Sequence, residues 1–173
     1  MSVARIILAP GASGGVERLH PHAEGLRRRG FDVELVALPR GPAERAVAPY
    51  RAALEHHELG STVIGGHSFG GRVASLVAAE TPPAALVLLS YPLHAPGRHD
   101  AWDARTAHWP SIGCPVLLLS GEADPFARID LLRRAAERLG DGSLHTWPRL
   151  GHGLGPVLDE ALDIIAGFVR ERT

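Results

Sequence analysis

The sequence of 173 residues holds no lysine, a single cysteine and no long apolar run. All 18 basic residues are arginine, which fits a GC-rich coding bias better than a chemical need. The 18 basic and 19 acidic side chains leave a formal net charge of −1. There is thus no basic field to attract a nucleic acid, and none is expected as a partner. Cys114 has no second cysteine to pair with, so the chain carries no mark of an oxidising compartment. Placed before Pro115 at the head of an apolar run, it reads as a small buried apolar residue. No segment approaches the roughly 20 apolar residues that span a bilayer. The opening MSVARIILAPG falls short of the apolar core of about 7–15 residues in a signal peptide. No membrane partner is expected, and the expected location is cytoplasmic.

What the chain does have is alternation. Its length fits one domain, residues 1–173, against a prior of about 150 residues per domain. A chain this long buries roughly 70% of its unfolded surface and needs no disulfide or metal to fold. Apolar runs at 3–9, 31–38, 61–66, 84–90, 115–121 and 143–148 predict six strands. Near-continuous aliphatic runs among them mark strands covered on both faces. Apolar spacings of three and four at 16–30, 43–60, 70–81, 128–140 and 157–172 predict helices between them. Pro21 and Pro49 fall inside two of these, so those helices are expected to start after the proline or to kink. The pattern predicts an α/β fold, doubly wound, with a mainly parallel sheet and helices on both faces. The stretch from Tyr91 to Gly113 is too polar and proline-rich for regular structure, and loops of that length are often functional.

The chemistry centres on Gly66-His67-Ser68-Phe69-Gly70, a G-x-S-x-G pattern between a predicted strand and a predicted helix. Glycines two positions either side of Ser68 relieve the crowding of a sharp turn that presents a nucleophile. The turn falls at the carboxyl end of the sheet, where ligands bind in open α/β folds. A serine hydroxyl needs a base, and the base an orienting acid. His152, between two glycines on the loop after the last strand, supplies the base. Asp124 supplies the acid, favoured over the nearby Glu122 because Pro125 fixes a turn after it. Consecutive elbow residues point apart, so His67 is not the base. The backbone N–H of Phe69 and that of Ala12, on the loop after the first strand, are the expected oxyanion donors. Gly11 lets that loop approach the substrate. From loop position alone, Tyr91, Leu93, His94 and Trp109 are assigned to the pocket wall. His20 and His22 do not share a helix face, so no metal site is expected, and no sequence feature calls for a cofactor. The loop after the first strand lacks both the G-x-G-x-x-G order and a Walker lysine, against a phosphate loop.

Taken together, PGASGG, GGHSFGGR, SYPLHAPG and PVLLLSGEAD resemble, in order, blocks of the α/β-hydrolase superfamily in a compact form. They are most similar to its small dienelactone-hydrolase-like branch, related to the testis-expressed hydrolase-like proteins and the NSL-complex subunit family. The resemblance implies strand order 2-1-3-4-5-6, the triad Ser68, Asp124 and His152, and oxyanion donors at Ala12 and Phe69. Two departures stand out. Pro10-Gly11 replaces a common His-Gly, and dienelactone hydrolases use a cysteine where this chain has Ser68. About two dozen residues separate the fourth and fifth strands, too few for a folded cap. The expected function is a serine hydrolase of a small ester or thioester, with a small-molecule acyl substrate. The alternative is a non-catalytic scaffold that keeps the fold, since fold alone does not establish function. Oligomeric state leaves no trace in the sequence.

Overall fold

The aliphatic runs become six parallel strands in the order β2-β1-β3-β4-β5-β6. They are β1 (Arg5–Ala9), β2 (Asp32–Leu35), β3 (Thr62–His67), β4 (Ala85–Leu89), β5 (Val116–Gly121) and β6 (Gly142–Trp147). The computed structural model describes residues 4–12 and 14–173. Val3, the expected first residue of β1, and Ser13 of the PGASGG block lie outside the described residues.

Period-two alternation divides the strand side chains between two layers. Ile6, Leu8, Val63, Val87, Leu117 and Leu119 face α1 (His20–Arg28) and α6 (Leu158–Arg170). Ile7, Ile64, Leu86, Leu88, Val116 and Leu118 face α2 (Ala43–Leu54), α3 (Phe69–Glu80) and α5 (Ile129–Ala136). β4 and β5 are buried along their whole length, which is why they read as unbroken aliphatic runs. Cys114 is buried, and burial pushes its thiol up to about 11.

Packing adjusts several element boundaries. Pro21 lies in the first turn of α1, where the missing N–H is harmless, and Val16–Leu19 form a 3-10 turn ahead of it. α2 begins at Ala43, before Pro49, and continues past it. Its buried face, with Ala46, Tyr50 and Leu54, holds the helix to the sheet despite the lost hydrogen bond. Tyr50 is fully buried and its hydroxyl donates to the Gly65 carbonyl at 2.9 Å, tying α2 to β3.

The segment between β4 and β5 departs most from expectation. Instead of an irregular loop over the site it makes short turns and one four-residue helix, α4 (Trp102–Arg105). Tyr91, Leu93 and Trp109, expected on the pocket wall, are no more than 1% exposed and join the core on the α3 face. Trp109 meets Tyr91 edge-on at 4.9 Å, and the Tyr91 hydroxyl donates to the Arg105 carbonyl at 2.7 Å. Burying each such side chain is worth about 1.5–3 kcal/mol, which outweighs the polarity of their neighbours.

Candidate active site

The site is built at the carboxyl ends of β3, β5 and β6. Ser68 follows β3 directly and caps α3, with φ of 50° and ψ of −117°. A left-handed backbone at a non-glycine residue costs about 1–3 kcal/mol and persists only where its surroundings enforce it. Here the Ser68 N–H donates to the Leu89 carbonyl at 2.8 Å, pinning the elbow to β4. The motif glycines allow the close approach. A side chain on Gly66 would lie 2.5 Å from the Ala9 carbonyl oxygen, and one on Gly70 would collide with the same atom. Gly70→Ala is expected to destabilise the fold by about 1–3 kcal/mol, because the Ala9 and Pro10 backbone it would meet cannot shift as a flexible side chain would. A urea titration should show a lower midpoint with an unchanged slope.

Asp124 sits in the turn after β5, buried to 4% exposure. Its Oδ1 accepts the Phe126 N–H at 2.8 Å, and its Oδ2 lies 2.8 Å from His152 Nδ1. The other ring nitrogen, His152 Nε2, lies 2.9 Å from Ser68 Oγ. The imidazole thus bridges hydroxyl and carboxylate in one chain. Glu122 is turned elsewhere: its Oε1 accepts from the Thr146 hydroxyl at 2.7 Å and faces Arg133 at 3.4 Å. The expected oxyanion loop lies over the elbow, since a side chain on Gly11 would stand 3.6 Å from Ser68 Cβ. As the first residue of α3, Phe69 has an N–H without an intrahelical acceptor, at the positive end of the helix dipole.

A cavity of about 610 Å³ opens beside Ser68 and His152. Gly11 and Ala12 line it, while Leu19, Pro21, Phe126, Leu154 and Leu158 make it largely apolar. Tyr91, Leu93, His94 and Trp109 do not line it. His94 is 1% exposed and braces the acid loop, with its Nε2 accepting the Arg128 N–H at 3.0 Å. Its own main-chain N–H donates to the Phe126 carbonyl at 3.1 Å. The cavity residues that the sequence did not assign to the site include His22, His67 and Phe126. Burial, reinforced by His67, pushes His22 down to about 4, so it is a neutral part of the wall at neutral pH. His67 is likewise held below the ordinary histidine value, mainly by burial. The Phe126 ring packs on the His152 ring at 4.5 Å. Only the adjacency of His67 and Phe126 to the triad candidates hinted at these contacts. A larger cleft, about 920 Å³, opens at the amino ends of the strands beside Arg5, His57 and Thr62, and holds none of the triad candidates. Among the described residues no cluster of three metal-ligating side chains forms, and no helix is long and apolar enough to cross a membrane.

Residues 39–160 match the family described as alpha/beta hydrolase domain. The chain belongs to that family. Solved structures of similar fold include the monoacylglycerol lipase of Paleococcus ferrophilus, at 16% identity and TM-score 0.81 over 98% of this chain and 95% of that one. Another is Est1E of Butyrivibrio proteoclasticus with bound ferulic acid, at 16% identity and TM-score 0.82 over 99% and 90%. The dienelactone hydrolase of Anabaena variabilis matches at 20% identity and TM-score 0.81 over 99% and 87%. At these identities the likeness is one of fold. The strand order of this alpha/beta hydrolase is the one its sequence blocks implied.

Proposed function

We propose that this alpha/beta hydrolase is a serine hydrolase that cleaves small esters or thioesters through an acyl-enzyme. The observation that carries the reading is the His152 ring standing 2.9 Å from Ser68 Oγ and 2.8 Å from Asp124 Oδ2. His152 Nδ1–H donates to the buried Asp124 carboxylate, which leaves Nε2 as acceptor for the Ser68 hydroxyl proton. Ser68 Oγ adds to the substrate carbonyl as that proton passes to Nε2. The oxyanion meets the N–H groups of Ala12 and Phe69, donors typically worth a few kcal/mol each. Collapse expels the alcohol or thiol, which takes the proton back from Nε2. Water then repeats the sequence on the acyl-serine, releasing the acid and restoring Ser68.

The apolar cavity of about 610 Å³ favours an apolar group on the substrate. The SYPLHAPG block and the fold shared with a dienelactone hydrolase favour the dienelactone-hydrolase-like branch, with serine in place of cysteine setting this chain's substrate apart. This reaction needs no cofactor, and a small acyl compound in the cytoplasm is the proposed substrate.

A fluorophosphonate probe tests the reading. The wild-type chain is expected to label on Ser68, and prior exposure to a good ester substrate is expected to slow the labelling. Absence of labelling, or equal labelling of Ser68→Ala, would return the chain to the scaffold alternative. Turnover of chromogenic esters of increasing acyl length should then fall once the cavity is filled.

A further inference from the structure

We infer that His67, the residue before the nucleophile, is a positioning residue that clamps the loop of the catalytic base; this rests on the serine-hydrolase reading. The need for a clamp is local. His152 lies between Gly151 and Gly153, and neither glycine has neighbouring atoms that a side chain would meet. Two glycines give a backbone wide conformational freedom. The anchors on either side stop short of the histidine: the Leu150 carbonyl accepts the Ala123 N–H at 2.9 Å, and the Leu154 carbonyl accepts the Val157 N–H at 3.0 Å. Among the described residues, the backbone from Gly151 to Gly153 makes no main-chain hydrogen bond to other main chain. Its one hydrogen bond comes from His67, whose Nε2 lies 3.0 Å from the His152 carbonyl oxygen.

That contact fixes a proton. A carbonyl oxygen only accepts, so His67 Nε2 carries the hydrogen and donates. Burial keeps the ring neutral at neutral pH, with its proton on that nitrogen. The ring also reaches the oxyanion loop, its Nδ1 standing 3.3 Å from where a Gly11 side chain would begin. One imidazole thus sits between the base loop and the oxyanion loop, and its own backbone is held by β3 and the elbow. The Asp124 carboxylate orients the His152 ring, whereas His67 holds the backbone from which that ring projects. Catalytic groups need placement to within about 0.5 Å, and a misplacement of about 1 Å can cost on the order of 10²-fold.

Two substitutions separate clamping from space filling. Phenylalanine keeps the ring volume against Gly11 but cannot donate. Glutamine places an amide N–H near the position of Nε2. His67→Phe is expected to lower kcat by about 10- to 100-fold with KM within about twofold, and to slow fluorophosphonate labelling by the same factor. His67→Gln is expected to recover most of that loss. A second readout does not need turnover. The Nδ1 proton that His152 shares with Asp124 should give a low-field NMR signal in the wild type and in His67→Gln. In His67→Phe it should broaden through exchange with water. A His67→Phe protein with kcat and the low-field proton unchanged would overturn the inference, as would equal losses in both variants. If the wild type fails to label, the hydrolase reading falls, and the NMR comparison still decides whether His67 holds the loop.

Discussion

Ser68→Ala is expected to lower ester turnover by about 10⁵- to 10⁶-fold while leaving the fold intact. The size of the effect follows from the nucleophilic role proposed for the hydroxyl. Without Oγ no acyl-enzyme forms, and His152 has no nucleophile to deprotonate. A residual acceleration of about 10³- to 10⁴-fold over water is expected from the oxyanion donors and the cavity, which the substitution leaves in place. The effect on stability is expected to be small because, among the described residues, Ser68 Oγ has one hydrogen-bond partner, His152 Nε2 at 2.9 Å. Alanine faces the same backbone penalty at φ of 50° that serine already bears. Steady-state kinetics on a chromogenic ester, with a thermal melt of the same preparation, check both halves. Turnover within about tenfold of the wild type would place the nucleophile elsewhere and remove the basis for the proposed acyl-enzyme.

The legible parts of this protein are those where local chemistry and global demand coincide. β4 and β5 read correctly because a strand covered on both faces must be apolar at every position. The elbow read correctly because its glycines are required by backbone atoms from β1 and α3, a constraint that leaves a fixed spacing in the sequence. Element order then carried Asp124 and His152 to the same sheet edge as Ser68. What failed was side-chain destination in the irregular segments. Tyr91, Leu93 and Trp109 lie near a strand end in sequence, yet their apolar surface drew them beneath α3 instead of into the cavity. His67 failed in the opposite way. The rule that neighbours on an elbow point apart bears only on the role of base, and says nothing about a hydrogen bond to the backbone of a loop 85 residues away. Such contacts depend on where two loops meet, and no periodicity encodes that.

The two carboxylates of GEAD are expected to differ sharply in their effect on turnover. Asp124→Asn is expected to lower kcat by about 10⁴-fold, close to the effect known for a triad acid whose amide traps the wrong histidine tautomer. The local hydrogen bonds dictate the direction of that trap. Asp124 Oδ1 accepts the Phe126 N–H at 2.8 Å, and a backbone N–H can only donate. The asparagine must therefore turn its carbonyl oxygen toward Phe126 and its NH₂ group toward His152. That NH₂ requires His152 Nδ1 to act as an acceptor, which moves the ring proton to Nε2. A protonated Nε2 cannot take the Ser68 proton, so the base is disabled although every distance is kept. Glu122→Gln makes the contrast. Its carboxylate serves Thr146 and a partly exposed Arg133, an ion pair of the kind worth about 0–1 kcal/mol. Turnover in that variant is expected to stay within about twofold of the wild type, with at most a small loss of stability. Measuring kcat for both variants on one ester checks the assignment, and the reverse ranking would transfer the acid role to Glu122.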